Sequence, residues 1–366
     1  MIVMKKRSLM PNKKVKGLPV QFIRTKDGAI LKRGLTEIKL PTKGAVEATK
    51  LILKKTSKKG GVAIRDVLTS FTHESAPQVK QLLEQLLAWG LLVPADSHSS
   101  QVTDRENNLD IFYSEFRENA AIVNEKLNQH RLVILGVNYI SKQLSHVLRI
   151  SGVENYTIVD FLALRNLNFF DDSGNLKNEI WSETIGIREK STENLNPDNM
   201  DCLVATSDFG SNQVFSDLNG LCLQHKCHFF PIILQNMIGY IGPHIVPGET
   251  ACFDCLHARQ NSHIEDQETV RAIQSAAFEG QHFVGFHPSM AAILGDMAAF
   301  ELTKFYGASG LSSKIGTLIE IDLLKPQVVT KKVLKIPRCP TCSPMTTRAS
   351  TTPDKTVFIP LDWDER

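Results

Sequence analysis

The chain has 366 residues, of which 42% are hydrophobic and 22% are charged, and its formal net charge is +3. These proportions are typical of a globular protein with more than one domain, and the small net charge argues against a dedicated nucleic-acid binder. No apolar run reaches the roughly 18 residues of a membrane span, and no secretory segment follows the basic start, so we expect a cytoplasmic protein without membrane contact.

The first part of the chain predicts a tail followed by a small mixed domain. Residues 1–17 are basic and are expected to be disordered, because chain ends tend to lack structure. Within residues 18–95, the predicted strands are 20–24, 29–33 and 36–40, and the predicted helices are 41–55, 63–71 and 76–89. Turn signals at Asp27-Gly28 and Gly34 separate the strands. Three strands followed by three helices are typical of a winged helix-turn-helix domain.

The second part of the chain predicts a larger α/β domain. Residues 96–110 are polar and are expected to be a linker, and one helix is expected over 111–129. Strands are predicted at 131–136, 156–160, 201–208, 228–235, 316–324 and 328–336, with helices at 139–152, 211–226 and 288–306. Because the early strands alternate with helices, we expect a mostly parallel, doubly wound sheet. We assign 111–345 to this domain and 346–366 to a C-terminal tail.

Four of the seven cysteines form two Cys-x-x-Cys pairs, which are Cys252, Cys255, Cys339 and Cys342. Zinc binds four thiolates tetrahedrally, and each pair can supply two of them from one turn. The sequence therefore predicts a closed, structural zinc site without a catalytic role. The alternative is two unrelated pairs, one of them redox-active. The single cysteines Cys202, Cys222 and Cys227 are expected to be small buried side chains.

The stretch LVILGVNYISKQLS (132–145) reads as a strand, a glycine and a helix, like a phosphate-binding loop. Only Gly136 of the expected glycines is present, and Tyr139 brings a large side chain where a phosphate would lie. Asp160 ends the next strand, where an acid could bind a ribose. Asp208 ends a third strand and could bind Mg²⁺ or cap the following helix. The residues favour a structural remnant over a working site, and a cap over a magnesium ligand.

These motifs together resemble the ThiF/MoeB superfamily, the ubiquitin-activating-type adenylating enzymes, over about residues 105–342. The resemblance implies a Rossmann-like ThiF domain, in which nucleotide-site positions are matched by Gly136, Asp160, Asn166, Asp208 and Asn219. The departures are Asn138, Tyr139 and Ser141 in place of glycines, Phe161-Leu162 in place of a second acid, and Phe169 and Asn108 in place of arginines. Residues 171–200 are also too short and polar for the usual helix with its lysine. We therefore expect a pseudoenzyme that uses neither ATP nor Mg²⁺.

A winged-helix module ahead of a ThiF-like domain resembles proteins of ribosomal peptide (RiPP) biosynthesis. There the module is a RiPP recognition element that captures a leader peptide. Two branches fit: microcin-type enzymes that adenylate a peptide, and ThiF-like partners of azoline-forming YcaO cyclodehydratases. The missing glycines favour the second. The resemblance then implies a homodimeric, non-catalytic subunit that presents a precursor to a YcaO enzyme, which makes thiazoline or oxazoline rings.

We expect the leader to add as a strand beside residues 36–40 and to pack against the helix 77–88. The candidate contacts are Glu37, Ile38, Lys39, Leu40, Val79, Leu82, Leu83 and Leu86. About half of them must instead form the domain core, since alternate strand positions face inward. Lys39 and Lys80 could meet an acidic leader or simply face solvent.

Two other functions stay open at this point. One is an active enzyme that adenylates a peptide or a sulfur carrier. The other is a winged-helix DNA-binding regulator, although the third helix, with a single lysine, is poorly suited to phosphate contacts.

Overall fold

The structure, a computed structural model, describes residues 12–58, 60–95, 108–116, 118–189, 195, 199–262, 266–308, 310–311 and 313–343. Its contacts divide the chain into two compact units, with boundaries after Leu127, after Glu301 and after Ser312. The short stretch between the last two boundaries belongs to the first unit. Across the residues described, no helix has both the length and the apolar character needed to cross a bilayer.

The first unit contains the predicted strands and helices in the predicted order, with additional short elements. The elements are β1 (Lys14–Gly17), β2 (Gln21–Arg24), β3 (Ala29–Arg33), β4 (Thr36–Leu40), α1 (Lys43–Thr56), β5 (Val62–Ala63), α2 (Ile64–Leu68), α3 (Ala76–Ala88), β6 (Leu92–Pro94), α4 (Asn108–Glu115) and α5 (Ala120–Asn128). Strands β2, β3 and β4 form one antiparallel sheet, and β1 lies between β5 and β6 in a second.

The predicted tail is wrong for its last residues. Residues 14–17 form β1, which pairs with β5 on one side and with β6 on the other. The reason is that Val15 is completely buried in the core of this unit, so the segment gains apolar burial as well as hydrogen bonds. Residues 1–11 of the predicted tail and 96–107 of the predicted linker lie outside the described residues.

One apolar core holds the first unit together. Strand β3 alternates buried and half-buried residues, and its Leu31 packs in the same cluster as Ile52 of α1 and Leu83 of α3. Helix α1 begins where the Thr42 hydroxyl accepts a hydrogen bond from the Ala45 N–H at 3.2 Å, which satisfies an otherwise unpaired helix donor. The unit therefore has the packing expected of an independent domain.

The single helix predicted over 111–129 is in fact two helices, α4 and α5. The Asn119 side chain accepts from the Ala121 N–H at 2.7 Å, so a new helix begins there. The contacts place both helices in the first unit and not in the second. Glu115 of α4 accepts from the Leu35 N–H in the β3–β4 turn at 2.8 Å, and this bond ties α4 to the sheet.

The stretch that returns to the first unit packs against α5. It follows the predicted long helix, which runs over Pro288–Leu302 and ends in a π-helical turn, Thr303–Gly307. A Cβ atom on Gly307 would lie 2.8 Å from Cγ1 of Val123 and 2.9 Å from Cδ1 of Leu127. Only glycine allows this approach, so the return stretch and α5 are closely fitted to each other.

The second unit is built on one eight-stranded sheet. Its elements are β7 (Leu132–Leu135), α6 (Tyr139–Ile150), β8 (Tyr156–Phe161), β9 (Ile187–Glu189), β10 (Cys202–Ser207), α7 (Asn212–His225), β11 (His228–Gln235), β12 (Ile238–Ile241), α8 (Phe253–Asn261), α9 (Gln267–Ser275), α10 (Pro288–Leu302), β13 (Thr317–Asp322) and β14 (Gln327–Lys332). The strand order is β14-β13-β12-β11-β10-β7-β8-β9. The neighbours from β11 to β9 are parallel, and β11 to β14 pair antiparallel. The predicted α/β class is confirmed, but the sheet is mixed, because the three strands beyond β11 run antiparallel to their neighbours.

The strand order reverses direction at the carboxyl ends of β7 and β10. From β7 the chain moves outward through β8 to β9, whereas β10 and β11 extend the sheet in the opposite direction. In open parallel sheets, ligands bind where this direction reverses, at the carboxyl ends of the strands. Gly136 follows β7, Asp160 lies near the end of β8, and Asp208 follows β10, so the structure brings the three sequence motifs to this edge.

Helices α6 and α10 touch through a glycine. A Cβ atom on Gly295 of α10 would lie 2.9 Å from the Ile140 carbonyl oxygen, the Gln143 Cβ and the Leu144 nitrogen of α6. Two of these atoms belong to the helix backbone and cannot rotate away. The glycine in α10 thus sets how closely these two helices pack.

We predict that Gly295→Ala lowers the free energy of unfolding by about 1–3 kcal/mol, because the added methyl group overpacks the α6–α10 contact. Gly220→Ala is the matched control, since Gly220 lies within α7 and nothing lies within 4 Å of its Cβ position; it should be neutral or stabilising by up to about 1 kcal/mol. Urea denaturation of the full chain measures both. Equal stability of the two variants would contradict the close helix contact.

Candidate functional site

Gly136 turns the chain between β7 and α6, and its surroundings are protein backbone. It has a φ of +106°, and a Cβ there would lie 2.8 Å from the Thr206 carbonyl oxygen and 3.0 Å from that of Leu164. The glycine is therefore required by the approach of two neighbouring chain segments, whatever else binds at this edge.

Asn138 fills the space beside that glycine. It is completely buried, and its side-chain oxygen accepts from the Ser141 N–H at 3.0 Å in the first turn of α6. Its side-chain nitrogen donates to the Thr206 and Leu164 carbonyl oxygens at 2.9 and 3.2 Å. The Ser141 hydroxyl in turn accepts from the Asn138 N–H at 3.1 Å, which completes a capping box. The capping box at the start of α6 is thus formed by the side chains of Asn138 and Ser141.

Asp208 also serves the start of α6. Its carboxylate accepts from the Tyr139 N–H at 3.0 Å and from the Asn166 side-chain amide at 3.0 Å. Burial raises the pKa of Asp208 to about 6, although both donors and the helix dipole favour the charged form. The prediction that Asp208 caps the following helix is wrong, because α7 begins after Ser211 without a side-chain cap. Asp208 caps α6, which is distant in sequence and adjacent in space.

Asp160 is held by an arginine that the sequence analysis did not select. The Nε and one terminal nitrogen of Arg165 donate to the two carboxylate oxygens of Asp160 at 2.6 and 2.7 Å. Asp160 has no exposed surface, and the guanidinium also lies 4.3 Å from the ring centre of Phe170. A two-pronged ion pair of this kind is strong and directional. The sequence signal that could have indicated this ion pair is the spacing of Asp160 and Arg165, which are opposite charges five residues apart.

Aromatic rings cover the same edge of the sheet. The Tyr139 ring packs edge-on against Phe169 at 4.7 Å and lies 5.8 Å from Phe286. Phe169, which the sequence analysis placed at an expected arginine position, also contacts Trp181 at 5.7 Å. Gln281, another residue not predicted, accepts from the Leu167 N–H at 2.9 Å. This part of the sheet edge is therefore lined by an apolar cluster.

The structure brings together Gly136, Asp160, Asn166 and Asp208 but places Asn219 elsewhere. Asn219 is buried in α7, where its side-chain oxygen accepts from the Phe253 N–H at 3.1 Å and its nitrogen lies 3.4 Å from an Asp254 oxygen. These contacts belong to the start of α8, beside the cysteine pairs. Asn219 thus supports the cysteine cluster and not the end of β10.

The four predicted cysteines converge. All four sulfur atoms lie within 4.8 Å of one another, with distances of 3.8 Å (Cys252–Cys255), 3.6 Å (Cys252–Cys339) and 3.5 Å (Cys255–Cys342). A zinc ion bound at about 2.3 Å by four thiolates requires an edge of about 3.8 Å between sulfurs. The cluster could therefore hold a metal ion such as zinc. Burial raises the pKa of Cys342 to about 11, so a bound cation would be needed to hold its thiolate.

A polar bridge joins the two cysteine turns directly. Asp254, between the first two cysteines, accepts hydrogen bonds from the hydroxyls of Ser216 and Thr341, and Thr341 lies between the last two. Such bonds orient the turns that carry the ligands. The three remaining cysteines, Cys202, Cys222 and Cys227, are buried as expected.

Most of the predicted peptide contacts lie in the core of the first unit. The buried ones are Ile38, Leu40, Val79, Leu83 and Leu86. The other three offer surface: Glu37 and Lys39 are exposed on β4 and Leu82 is half-buried on α3. The alternation of a strand with one buried face explains the division within β4. Among the described strands β4 is an edge strand, paired only with β3.

Solved structures share this fold. MccB from E. coli aligns with 90% of this chain and 97% of its own at a TM-score of 0.59 and 16% identity. The microcin C7 biosynthetic enzyme MccB in complex with N-formylated MccA aligns with 90% of this chain and 100% of its own, at a TM-score of 0.59 and 17% identity. A heterocyclase in complex with substrate and cofactor aligns with 94% of this chain at a TM-score of 0.58 and 15% identity.

These alignments show that the chain shares the fold of MccB and of the heterocyclase. The chain spans nearly all of MccB and 41% of the length of the heterocyclase. No protein-family model matches the sequence, and no curated protein matches it either.

We predict that the purified chain contains about one metal ion per molecule and that Cys339→Ser abolishes its retention, because three remaining sulfurs cannot close a tetrahedral site. Cys202→Ser is the matched control, since that thiol is buried at the start of β10 and is not part of the cluster. Mass spectrometry of the metal content after desalting measures both. Full retention by Cys339→Ser would contradict a four-cysteine site.

We predict that Asp208 makes the stability of the chain pH-dependent. Its pKa of about 6 in the folded protein exceeds the value of about 3.9 for an unfolded chain, so its contribution to stability is complete below pH 4 and is lost as the pH rises through 6. The stability of the wild type relative to Asp208→Asn should fall by about 1–3 kcal/mol between pH 4.5 and pH 7. Urea denaturation at both pH values tests this, with Asp217→Asn on the exposed surface of α7 as the control. A difference between wild type and Asp208→Asn that is independent of pH would contradict the prediction.

Proposed function

We propose that this protein binds the leader of a ribosomal precursor peptide and presents it to a separate YcaO cyclodehydratase, without ATP chemistry of its own. The observation that carries the proposal is the state of the groups at the ends of β7, β8 and β10. The Tyr139 and Ser141 N–H groups and the carboxylates of Asp160 and Asp208 are already bonded to other residues of the chain. The shared fold with proteins of peptide modification supplies the context.

The start of α6 argues against phosphate binding. A phosphate binds at a helix start through free N–H groups, favoured by the positive end of the helix dipole. Here the Tyr139 N–H donates to the Asp208 carboxylate and the Ser141 N–H donates to the Asn138 side chain. A triphosphate would have to displace a buried carboxylate, and Arg165, a cation described at this edge, is already bound to Asp160, although phosphoryl transfer depends on such charges.

The two aspartates argue against ribose and magnesium binding. Asp160 is paired with Arg165 through both oxygens and has no exposed surface. Asp208 is completely buried, and its carboxylate accepts hydrogen bonds from α6 and from Asn166, so it has no exposed oxygen with which to coordinate a metal ion. Breaking a buried pair leaves an uncompensated charge, which is strongly destabilising. We infer a pseudoenzyme whose former nucleotide site now holds the sheet edge together.

The heterocyclase comparison supports a separate catalytic partner. This chain spans 41% of that protein, so the larger part of the heterocyclase has no counterpart in the chain. We assign ring formation from Cys, Ser or Thr residues to a YcaO enzyme that this chain would contact. The second unit would provide that contact and a homodimer interface, and the four-cysteine cluster would hold structural zinc.

The first unit would be the winged-helix element that captures the leader. Strand β4 is an edge strand among those described, so its outer backbone groups can pair with a peptide strand. Of the predicted contacts, Glu37, Lys39 and Leu82 are at the surface and could touch the peptide. The buried ones belong to the core that holds β4 and α3 in place. Backbone pairing would supply affinity, and the exposed side chains would supply selectivity.

The second candidate is an active peptide-adenylating enzyme. It is favoured by one observation, the alignment over 97–100% of MccB, which has also been solved with ATP. In that case Asp208 would have to release Tyr139 and Asn166 when a nucleotide binds.

We predict that the full chain catalyses no ATP–pyrophosphate exchange, with or without its precursor peptide, and that it binds the precursor with a micromolar or tighter Kd. Together with a YcaO partner it should restore ring formation, measured by the mass loss of one water per ring. Asp208→Asn should change the rate of ring formation by no more than about twofold. If Asp208 were part of a working nucleotide site, the same substitution would lower the rate about 100-fold or more. Robust exchange by the chain alone would establish the adenylating enzyme instead, and absence of precursor binding would refute the docking role.

A further inference from the structure

The charge of the protein is divided unevenly along the chain. Residues 12–95 contain 16 Lys and Arg against six Asp and Glu, a net charge of +10. Residues 96–366 contain 23 Lys and Arg against 33 Asp and Glu, a net charge of −10. The overall value of +3 conceals this division. An uneven distribution of this size affects which partners each part of a protein attracts.

The positive charge of the first unit lies on its surface. The exposed bases are Lys13, Lys14, Arg24, Lys26, Lys39, Lys43, Lys50, Lys54, Lys58, Arg65 and Lys80. Three of the six acids in residues 12–95 are already paired with bases of the same stretch, in the pairs Glu37–Lys32, Glu47–Lys50 and Asp66–Arg65. The acids present therefore cannot neutralise the bases, and the surface has a strong positive field.

Part of this charge lies on the elements that are proposed to receive the peptide. Lys39 is exposed on β4 itself, Lys43 begins α1 three residues after β4 ends, and Lys80 is exposed on α3. Beside them, Glu37 is tied to Lys32, and Lys32 holds the pKa of Glu37 below its usual range. A peptide strand docked on β4 and α3 as proposed would thus meet Lys39 and Lys80, and Lys43 follows β4 closely in the chain.

We propose that the peptide captured by the first unit is acidic, with Asp or Glu flanking the segment that pairs with β4. This inference rests on the proposed docking function and specifies its substrate class. Carboxylates opposite Lys39 and Lys80 gain charge-assisted hydrogen bonds, and the wider field of the unit speeds their encounter. Acidic peptides are selected in this way while basic ones are repelled.

Nucleic acid is the other polyanion that a basic winged-helix unit could bind. In such proteins the third helix enters the major groove and carries the base contacts. Here the exposed polar residues of α3 are Gln78, Lys80, Gln81, Glu84 and Gln85. One lysine is balanced by one glutamate, so the helix that would face the DNA has no net positive charge. The basic residues lie mainly on β1, β2, β4 and α1, which favours a peptide.

The test is selection of peptides by the full chain. A library of random 15-residue peptides is panned against the immobilised protein at 50 mM and at 500 mM NaCl. We expect enrichment of Asp and Glu at low salt and loss of that enrichment at high salt, because the screening length falls severalfold between these concentrations. Binders with no acidic preference would overturn this inference and leave the docking role standing. Absence of any binder would refute the docking role itself.

Charge reversal then locates the selectivity. The double variant Lys39→Glu/Lys80→Glu should bind the selected acidic peptides with an affinity lower by about tenfold or more. The double variant Lys39→Arg/Lys80→Arg should bind them with an affinity within about threefold of the wild type. The matched control is Lys314→Glu/Lys325→Glu, which reverses two exposed charges of the second unit and should have no effect. Thermal denaturation confirms that the variants are folded. Equal loss in the control, or duplex DNA that binds more tightly than the acidic peptides at 150 mM NaCl, would overturn the proposal.

Discussion

The carboxylate of Asp208 connects three parts of the second unit. It lies at the end of β10, receives the first N–H of α6, and receives the amide of Asn166 from the segment after β8. Because it is buried, these bonds cannot be replaced by water if one partner leaves. The strand ends, the helix start and the adjacent loop are therefore fixed together. The geometry of this sheet edge depends on this arrangement, and so does the proposal of a non-catalytic role.

Much of the fold followed from local sequence patterns. Period-two and helical spacing, together with turn residues, placed β2, β3, β4 and α3 to within a residue or two. Several elements were missed, among them the helices α8 and α9 and the strands β1, β9 and β12. These three strands have three or four residues, and each pairs with a strand that is distant in the chain, β12 with β13 in addition to its hairpin neighbour β11. Such pairing leaves no periodic signal in a short stretch, since it depends on tertiary context.

The candidate site shows the same limit at the level of single residues. The cysteine cluster was predictable because thiolates in two Cys-x-x-Cys turns have few alternative uses. The partner of Asp208 was not predictable, because a cap can come from another strand and the sequence shows only the nearest helix. Likewise, the peptide contacts were chosen by element, and only burial separated Lys39, on the surface, from Ile38 and Leu40, in the core.

Because Thr303–Gly307 packs against α5, the first unit cannot be completed on the ribosome until most of the chain has been made. The unit contains residues up to Leu127 and a stretch that begins at Leu302. At about 5–20 residues per second, a ribosome needs roughly 9–35 s to make the intervening segment. During that time the apolar side of α5 with Val123 and Leu127 lacks the glycine turn that will cover it. The first unit therefore begins to be synthesised first but cannot be completed until most of the second unit has been translated. The time for which this surface of α5 is open to chaperones or to premature association equals the time needed to translate that part of the second unit.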